Sequence, residues 1–470
     1  MGAGAPAAVR RGRACTPCAR PPRRRRHVTV AAGSASAAAG SASAAAGPVK
    51  SPPSGWRAFF GWRIAGAGAV ILTLQSALVL QAFGTYAVIL QERFGWSRTT
   101  ISIAYSFNRA ESGLLGPLHG WALHRFGSRR VMRVGAVIVT IGFVSFSQVS
   151  TPVQYVVSFF VIAVGASLSG FLTVNTEIVR WFERRRTRAL SLASVGFAAG
   201  GLLTPAVVLA LRHFGWRQTA FGSGLLLGAA AFLLATFFGT SPAERGEVVD
   251  GAARPPADRS HRAIARRDLT AREALHTRAF WLLAFGHASA LLVVGSVIAH
   301  LSLFLTTEEG FSLQGASFVV AGIPIAQVAG MALGGVLGDR MSKRVLCSAA
   351  MFGHVAGLLL LTFATHLWMV WAFVVLHGLA WGMRGPLMSA IRADYFGSTS
   401  FGQIMGYSSI ITMFGMVGGP LFAGVLADVT GSYQAGFTIL AALSATGSVL
   451  FALAAPPSFD AGPATTTPAP

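Results

Sequence analysis

The most restrictive feature of the sequence is the stretch "IAGAGAVILTLQSALVLQAFGTYAVIL" at 64–90, which contains no charged residue in 27 positions. A helix rises about 1.5 Å per residue, so a helix of this length is longer than the roughly 30 Å hydrocarbon core of a bilayer. A secretory signal peptide has a shorter apolar region at the very N-terminus. The stretch therefore predicts a transmembrane helix.

Similar apolar segments recur along the whole chain. Only 11% of the 470 residues are charged, whereas a soluble globular protein has roughly a quarter of its residues charged. We predict an all-α multi-pass membrane protein with twelve transmembrane helices. The predicted spans are 64–90, 99–119, 132–149, 153–178, 189–211, 217–239, 279–305, 313–337, 345–364, 367–390, 403–427 and 435–455.

An internal repeat divides these spans into two sets. Three pairs of segments match at one offset of 215 residues: "FGWS" (94–97) with "EGFS" (309–312), "GWALHRFGSRR" (120–130) with "GVLGDRMSKRV" (335–345), and "ASVGFAAGGLLTP" (193–205) with "SSIITMFGMVGGP" (408–420). The repeat predicts two pseudo-symmetric six-helix bundles with a binding site between them. The motifs Gly196-x-x-x-Gly200 and Gly415-x-x-x-Gly419 predict close helix approach in each bundle.

The repeat gives a predicted domain organisation. Its parts are a basic Ala/Gly/Ser-rich tail (1–55), an N-terminal bundle (56–240), a basic cytoplasmic linker (241–278), a C-terminal bundle (279–456) and a second tail (457–470). Both tails have compositions typical of disorder. The first could be a cytoplasmic tail, an organelle transit peptide or sequence upstream of the true start.

The net charge of +22 does not indicate a nucleic-acid partner, because half of the excess lies before residue 64 and most other basic residues lie in short loops. Basic loops mark the cytoplasmic side of a membrane protein. We therefore expect a cell (plasma or inner) membrane protein with both termini in the cytoplasm. The basic loop residues are Arg125, Arg129, Arg130, Arg133, Arg180, Arg184, Arg185, Arg186, Arg188, Arg340, Lys343, Arg344 and Arg392.

One of the repeated segments resembles the signature loop of the major facilitator superfamily, which reads loosely G-x-L-A-D-R-x-G-R-R. The first copy has His124 where the family has an acid, whereas the second copy keeps Asp339. The resemblance implies the twelve-helix major facilitator fold and a gating loop in each half. The implied gating-loop residues are Gly120, His124, Arg125, Arg129, Gly335, Asp339, Arg340 and Arg344.

Three further segments resemble the oxalate/formate antiporter and monocarboxylate porter branch of that family. They are "RWFERRRTRALSL" (180–192), "FGWRQTAF" (214–221) and "DYFGSTSFGQIMG" (394–406). In oxalate-type members, basic residues on the eighth and eleventh helices are implicated in binding the anion. Neither helix has an Arg or Lys here, so the resemblance does not supply the substrate.

Three charged residues, Arg109, Glu111 and Arg384, lie well away from the ends of predicted spans. A charge at the bilayer centre costs roughly 2.5–3.5 kcal/mol on insertion scales, so these side chains must face the protein interior. An arginine fork suits a carboxylate, and we predict that an organic anion binds here. The predicted substrate-binding residues are Arg109, Arg384, Tyr105, Gln75 and His377. The alternative is an internal brace, such as an ion pair between Glu111 and Arg384.

Glu111 is the predicted proton carrier, because a buried carboxylate beside an anion site can take up a proton. His287 and His300 are further candidates for proton coupling. We predict no catalytic residue, metal site or cofactor. The chain lacks a Walker A motif and an HExxH motif.

The sequence thus predicts a secondary active transporter, not an enzyme, that moves a small mono- or dicarboxylate by alternating access. The partners are the bilayer, the substrate and a coupling proton or counter-anion, and we expect a monomer. A drug or sugar transporter of the same fold is one alternative. A non-transporting membrane sensor or scaffold is another.

Overall fold

The computed structural model describes residues 59–96, 111, 113–251 and 268–457. These residues are helical, with short connections and no strand among them. The predicted tail at 1–55, nearly all of the tail at 457–470 and most of the second span lie outside the described residues. The helices are α1 Phe60–Gln75, α2 Ala82–Phe94, α3 Gly116–Phe126, α4 Ser128–Ser147, α5 Pro152–Ser169, α6 Phe171–Trp181, α7 Arg186–Ala199, α8 Thr204–Leu234, α9 Ala271–Leu275, α10 Arg278–Thr307, α11 Leu313–Gly338, α12 Lys343–Thr362, α13 Leu367–Phe396, α14 Phe401–Thr430 and α15 Gln434–Leu453.

Ten helical runs in the described residues are long and apolar enough to cross a membrane. One of them, Arg186–Phe237, has 52 residues and contains a break at Gly215, where φ is 75°. That run is two crossings, and α3 is the described end of the second predicted span. The fold is therefore the predicted all-α arrangement of twelve membrane helices.

The helices depart from the predicted spans in three places. A π-helical turn, Ser76–Gln81, joins α1 to α2 within the first span. Gly170 divides the fourth span into α5 and α6. The assignment of Arg392 to a loop was wrong, because α13 continues to Phe396 and Arg392 is only 1% exposed.

The two GxxxG motifs bring helices into close contact, as predicted. A Cβ on Gly196 would overlap the backbone of Ala69 on α1, and a Cβ on Gly415 would overlap the backbone of Ala288 on α10. Only a hydrogen fits between these backbones. Equivalent helices therefore pack in the same way in the two halves: the fifth span against the first, and the eleventh against the seventh.

The first described part of the predicted linker packs against the N-terminal half, and the last described part packs against the C-terminal half. The Asp250 carboxylate accepts hydrogen bonds from the backbone N–H groups of 183–185, and the Glu247 carboxylate accepts one from the Phe60 N–H. Beyond the undescribed stretch, the Leu269 N–H donates to the Phe396 carbonyl. Both contacts fix the linker at the ends of helices.

The two halves touch at one end of the molecule. This end, here called the arginine-rich face, consists of the connections at Gly127, 182–185, 339–342 and 397–400 together with the adjoining helix turns. In the described residues the hydrogen bonds between the halves begin at this face and extend inward as far as Ser409 of α14 and the Gly113 carbonyl. The pairs are Asn175 with Ser389, Arg186 with Asp394, Thr187 with Asp339, and Ser409 with the Gly113 carbonyl.

Candidate functional site

The Arg384 guanidinium is buried, and no acid among the described residues forms an ion pair with it. The residue is 1% exposed, and its Nε and Nη1 atoms have no hydrogen-bond partner among the described residues. A buried charge is normally paired or fully hydrogen-bonded, because removing it from water is costly. Arg384 therefore has unused donors on a planar fork of the kind that binds a carboxylate with two hydrogen bonds.

The sequence of the C-terminal half explains why no acid neutralises Arg384. Between 279 and 456 the acids are Glu308, Glu309, Asp339, Asp394 and Asp428, and all five lie in connections or near helix ends. Glu308 accepts hydrogen bonds at the Ser432–Tyr433 turn. Asp339 and Asp394 are engaged at the arginine-rich face.

Arg392 is a second buried arginine on the same helix, but its surroundings differ. Its guanidinium donates to the Met388 carbonyl at 3.1 Å, to the Leu283 carbonyl at 3.4 Å and to the Ser408 hydroxyl at 2.7 Å. These acceptors lie on α13, α10 and α14. Arg392 is thus a structural brace across three helices, and Arg384 is not.

His377, a predicted substrate-binding residue, lies about two helical turns before Arg384 on the same face of α13. It pairs with His354 of α12. The two Nδ1 atoms are 3.1 Å apart, and both residues are fully buried. Neither Nε2 atom has a hydrogen-bond partner among the described residues. The sequence prediction missed His354, because the pairing depends on how α12 packs against α13. We call this pair the histidine dyad.

The other two predicted histidines have different environments. His287 on α10 is partly exposed and lies within electrostatic range of Arg384 and Arg392. His300 contacts the Pro420 carbonyl through Nε2 at 2.9 Å and the Tyr433 hydroxyl through Nδ1 at 3.1 Å. A carbonyl only accepts, so Nε2 of His300 carries the proton and Nδ1 accepts from the tyrosine. Its hydrogen bonds tie α10 to α14.

The candidate residues of the N-terminal half are only partly described. Arg109 and Tyr105 lie outside the described residues. Glu111 is 5% exposed, and its carboxylate accepts a hydrogen bond from the Ser167 hydroxyl of α5. No described ion pair joins Glu111 to Arg384. The Gln75 amide donates to the Ala166 carbonyl and the Ser169 hydroxyl, which ties α1 to α5.

In the C-terminal gating loop, Asp339 makes a contact between the halves. Its carboxylate accepts a 2.9 Å hydrogen bond from the Thr187 N–H at the start of α7, and it lies 3.4 Å from the Arg188 Nε. A carboxylate at a helix N-terminus is favourable. Burial raises the pKa of Asp339, while the bonds from Thr187 and the charge of Lys343 oppose that shift. Gly335 packs on Ser191 in the same contact, and Arg340 is exposed.

Asp394 makes a second contact between the halves, which the sequence prediction missed. Its carboxylate contacts Arg186 at the start of α7 and the Lys343 ammonium, 2.7 Å away, at the start of α12. Arg186 was predicted only as a loop cation, but it is 6% exposed. One acid thus bridges cations of both halves.

The N-terminal gating loop has no equivalent acid. His124 and Arg125 are exposed, whereas Arg129 donates to the carbonyls of Phe238 and Thr236 and so caps the last turn after α8. Gly120 lies against the Gly402 carbonyl of α14. The repeat equivalent of Arg129 is Arg344, which lines a surface groove together with Ser348, Ser448 and Ala452.

Comparison with known proteins agrees with this architecture. A sequence profile of the Major Facilitator Superfamily matches residues 69–323 and 285–469. Human monocarboxylate transporter 11 is 28% identical over 430 residues, covering 86% of this chain and 84% of that protein. A probable sulfoacetate transporter, SauU of Cupriavidus necator, is 25% identical over 384 residues, covering 77% of this chain and 86% of that protein. A crystal structure of the E. coli fucose:proton symporter FucP superposes with a TM-score of 0.61 at 14% identity, covering 84% of this chain and 96% of FucP.

Proposed function

The chain belongs to the major facilitator superfamily, and from that premise we propose that it carries a small organic anion, a mono- or dicarboxylate, by alternating access. The chain is a multi-pass membrane transporter with a small-molecule substrate, and it is not an enzyme. The identity of the substrate, the coupling and the cellular membrane belong to the proposal.

The observation that carries the proposal is the unpaired guanidinium of Arg384. A buried cation with two free donors, in a half whose acids all lie near helix ends, lacks one negative charge. A carboxylate substrate would supply that charge and accept the free hydrogen bonds. The names of the monocarboxylate and sulfoacetate relatives are consistent with an anionic substrate.

The contacts between the halves support alternating access. Asp339 and Asp394 hold the arginine-rich face closed, and opening this face would break both contacts. With the basic loops in the cytoplasm, as we propose, the structure is closed towards the cytoplasm. Both termini then lie inside, and the membrane is the plasma or inner membrane.

For coupling we propose proton symport or exchange for a second anion, with Glu111 as the proton carrier in the N-terminal half. Its carboxylate is buried and has the Ser167 hydroxyl as its described partner. Arg109 and Tyr105 complete the proposed substrate site from the second helix. We propose that the carrier works as a monomer, since both halves of the site are on one chain.

The test is uptake of labelled acetate, pyruvate, oxalate and succinate into proteoliposomes, with and without an inward proton gradient. We expect saturable uptake of at least one acid. With proton symport, the gradient raises accumulation, and Glu111→Gln removes that rise while anion exchange continues. With antiport, the gradient has no effect.

Other outcomes would contradict the proposal. Saturable uptake of glucose, fucose or an apolar drug with no uptake of any acid would assign a sugar or drug carrier. No transport of any of these compounds by a folded protein would favour a sensor or scaffold. Retention of gradient-driven accumulation in Glu111→Gln would exclude Glu111 as the proton carrier.

A further inference from the structure

We propose that the histidine dyad, His354 and His377, is a second proton site, which takes up one proton when an anion binds Arg384. This inference rests on the proposed anion site at Arg384. It does not rest on Glu111, which lies in the other half of the molecule. It makes the C-terminal half a place where the anion and a proton are bound together.

The contact between the two rings sets their protonation. A neutral imidazole carries one proton, and the two Nδ1 atoms are 3.1 Å apart, so one Nδ1 donates and the other accepts. The donor ring then has a bare Nε2, and the acceptor ring has a protonated Nε2. Because neither Nε2 has a described partner, the dyad has one free lone pair in the protein interior.

That lone pair accepts a proton without breaking the dyad. A hydronium ion transfers its proton to the bare Nε2, so one O–H bond breaks, one N–H bond forms and a water molecule leaves, while the Nδ1–H···Nδ1 hydrogen bond stays in place. The product is one imidazolium hydrogen-bonded to one neutral ring. Since both rings are sealed from solvent here, the proton reaches them in the open conformation that also admits the anion.

Arg384 makes this uptake depend on the anion. It lies seven residues after His377 on α13, and helical side chains point back towards the N-terminus. A positive charge two helical turns away on the same helix face opposes the addition of a second positive charge to the dyad. A monoanion at Arg384 cancels that charge. Without ligand, the site formed by Arg384 and the dyad holds one positive charge. With one monoanion and one added proton it again holds one, so this site never has to hold two.

The helices around the dyad carry few other ionisable groups. Cys347 on α12, His287 on α10 and Arg392 on α13 lie within electrostatic range of Arg384. Helices α11 and α15 contain no ionisable residue. Helix α14 contains two, Tyr407 and Asp428, and Asp428 is exposed near the helix end. The aromatic rings of Phe373 and Trp381 flank His377. Because the acids in the described helices of the C-terminal half lie near helix ends, we assign the compensating charge to the anion.

The test is calorimetric titration of the purified protein with the tightest-binding of acetate, pyruvate, oxalate and succinate, at one pH in two buffers of different ionisation enthalpy. The difference gives the protons taken up per anion. We expect about one in the wild type, with affinity that rises up to about tenfold per unit of pH decrease. Arg212→Gln, which changes an exposed residue outside both proposed proton sites, should keep this value.

The matched variants are His377→Asn, His354→Asn and the double variant. Asparagine keeps a polar atom near Nδ1 but cannot bind the additional proton. We expect the double variant to bind the anion with about one proton fewer taken up than in the wild type, and with an affinity that depends correspondingly less on pH. Size-exclusion and thermal unfolding profiles verify that each variant is folded.

The outcomes separate this inference from the proposed function. No carboxylate binding by the wild type would overturn the proposed function and the inference with it. Binding without proton uptake would overturn the inference alone, as would undiminished uptake in the double variant. Loss of uptake in Glu111→Gln with an intact dyad would assign the proton to Glu111 instead.

Discussion

At the scale of single residues, Arg384 and Arg392 show how one residue type serves two purposes on one helix. Both are 1% exposed. Arg392 donates to three acceptors on three helices, whereas Nε and Nη1 of Arg384 have none among the described residues. The cost of burying Arg384 is therefore not offset within the described protein. A site held ready for a ligand often lowers stability in this way.

This difference predicts opposite changes in stability. Arg384→Met replaces an uncompensated charge with an apolar side chain of similar length, and we expect it to stabilise the substrate-free protein by about 1–4 kcal/mol. Arg392→Met leaves up to three acceptors without a donor, and each unsatisfied acceptor costs about 1–3 kcal/mol. Thermal unfolding in detergent measures both.

Each variant is the control for the other, because both remove an arginine from α13. Equal destabilisation by Arg384→Met and Arg392→Met would mean that Arg384 is a brace as well. It would remove the main reason for placing an anion there.

At the scale of helices, closure of the arginine-rich face depends on backbones that lie in contact. A Cβ on Gly406 of α14 would overlap the Gly116 carbonyl, and a Cβ on Gly116 would overlap the Ser409 hydroxyl. These glycines allow α3 and α14 to approach closely, with only small side chains such as Ser409 between them. The acids Asp339 and Asp394 then add polar contacts to a fit that is already close.

Gly406→Val should therefore prevent closure. Overpacking of this kind costs about 1–3 kcal/mol, which shifts an open–closed equilibrium roughly tenfold. The reporter is Ser191→Cys, which is buried against Gly335 where α7 meets α11, a second contact between the halves, in a protein whose native cysteines are replaced by alanine. We expect faster labelling of this cysteine by a membrane-impermeant maleimide, together with slower transport.

The control is Gly418→Val on the same helix, since a Cβ there would meet only the Leu292 side chain at 3.7 Å. Its labelling rate should match that of the parent. Unchanged labelling in Gly406→Val would show that the two halves do not separate at this contact during transport.

At the scale of the whole molecule, sequence reasoning found the architecture. Apolar stretches long enough to cross a bilayer predicted the membrane spans, and the internal repeat predicted their division into two six-helix bundles. The same reliance on charge misplaced Arg392, because a hydropathy boundary stops at a charged residue even where the helix continues. The histidine dyad and the Asp394 bridge could not be predicted, since their members are far apart in sequence and meet only through packing between helices.

The proposed transport of an organic anion depends on recognition of a negative charge by Arg384. The most direct measurement is competition between the labelled acid that is transported and its unlabelled neutral amide, with the unlabelled acid as reference. It is made in wild type, Arg384→Gln, Arg384→Lys and a control at an exposed position of α8, Arg212→Gln. We expect the acid but not the amide to compete in the wild type and in Arg212→Gln. Arg384→Gln should lose specific binding, and Arg384→Lys should bind more weakly because lysine lacks the fork. Unchanged acid binding in Arg384→Gln, or an amide that competes as well as the acid, would contradict the account.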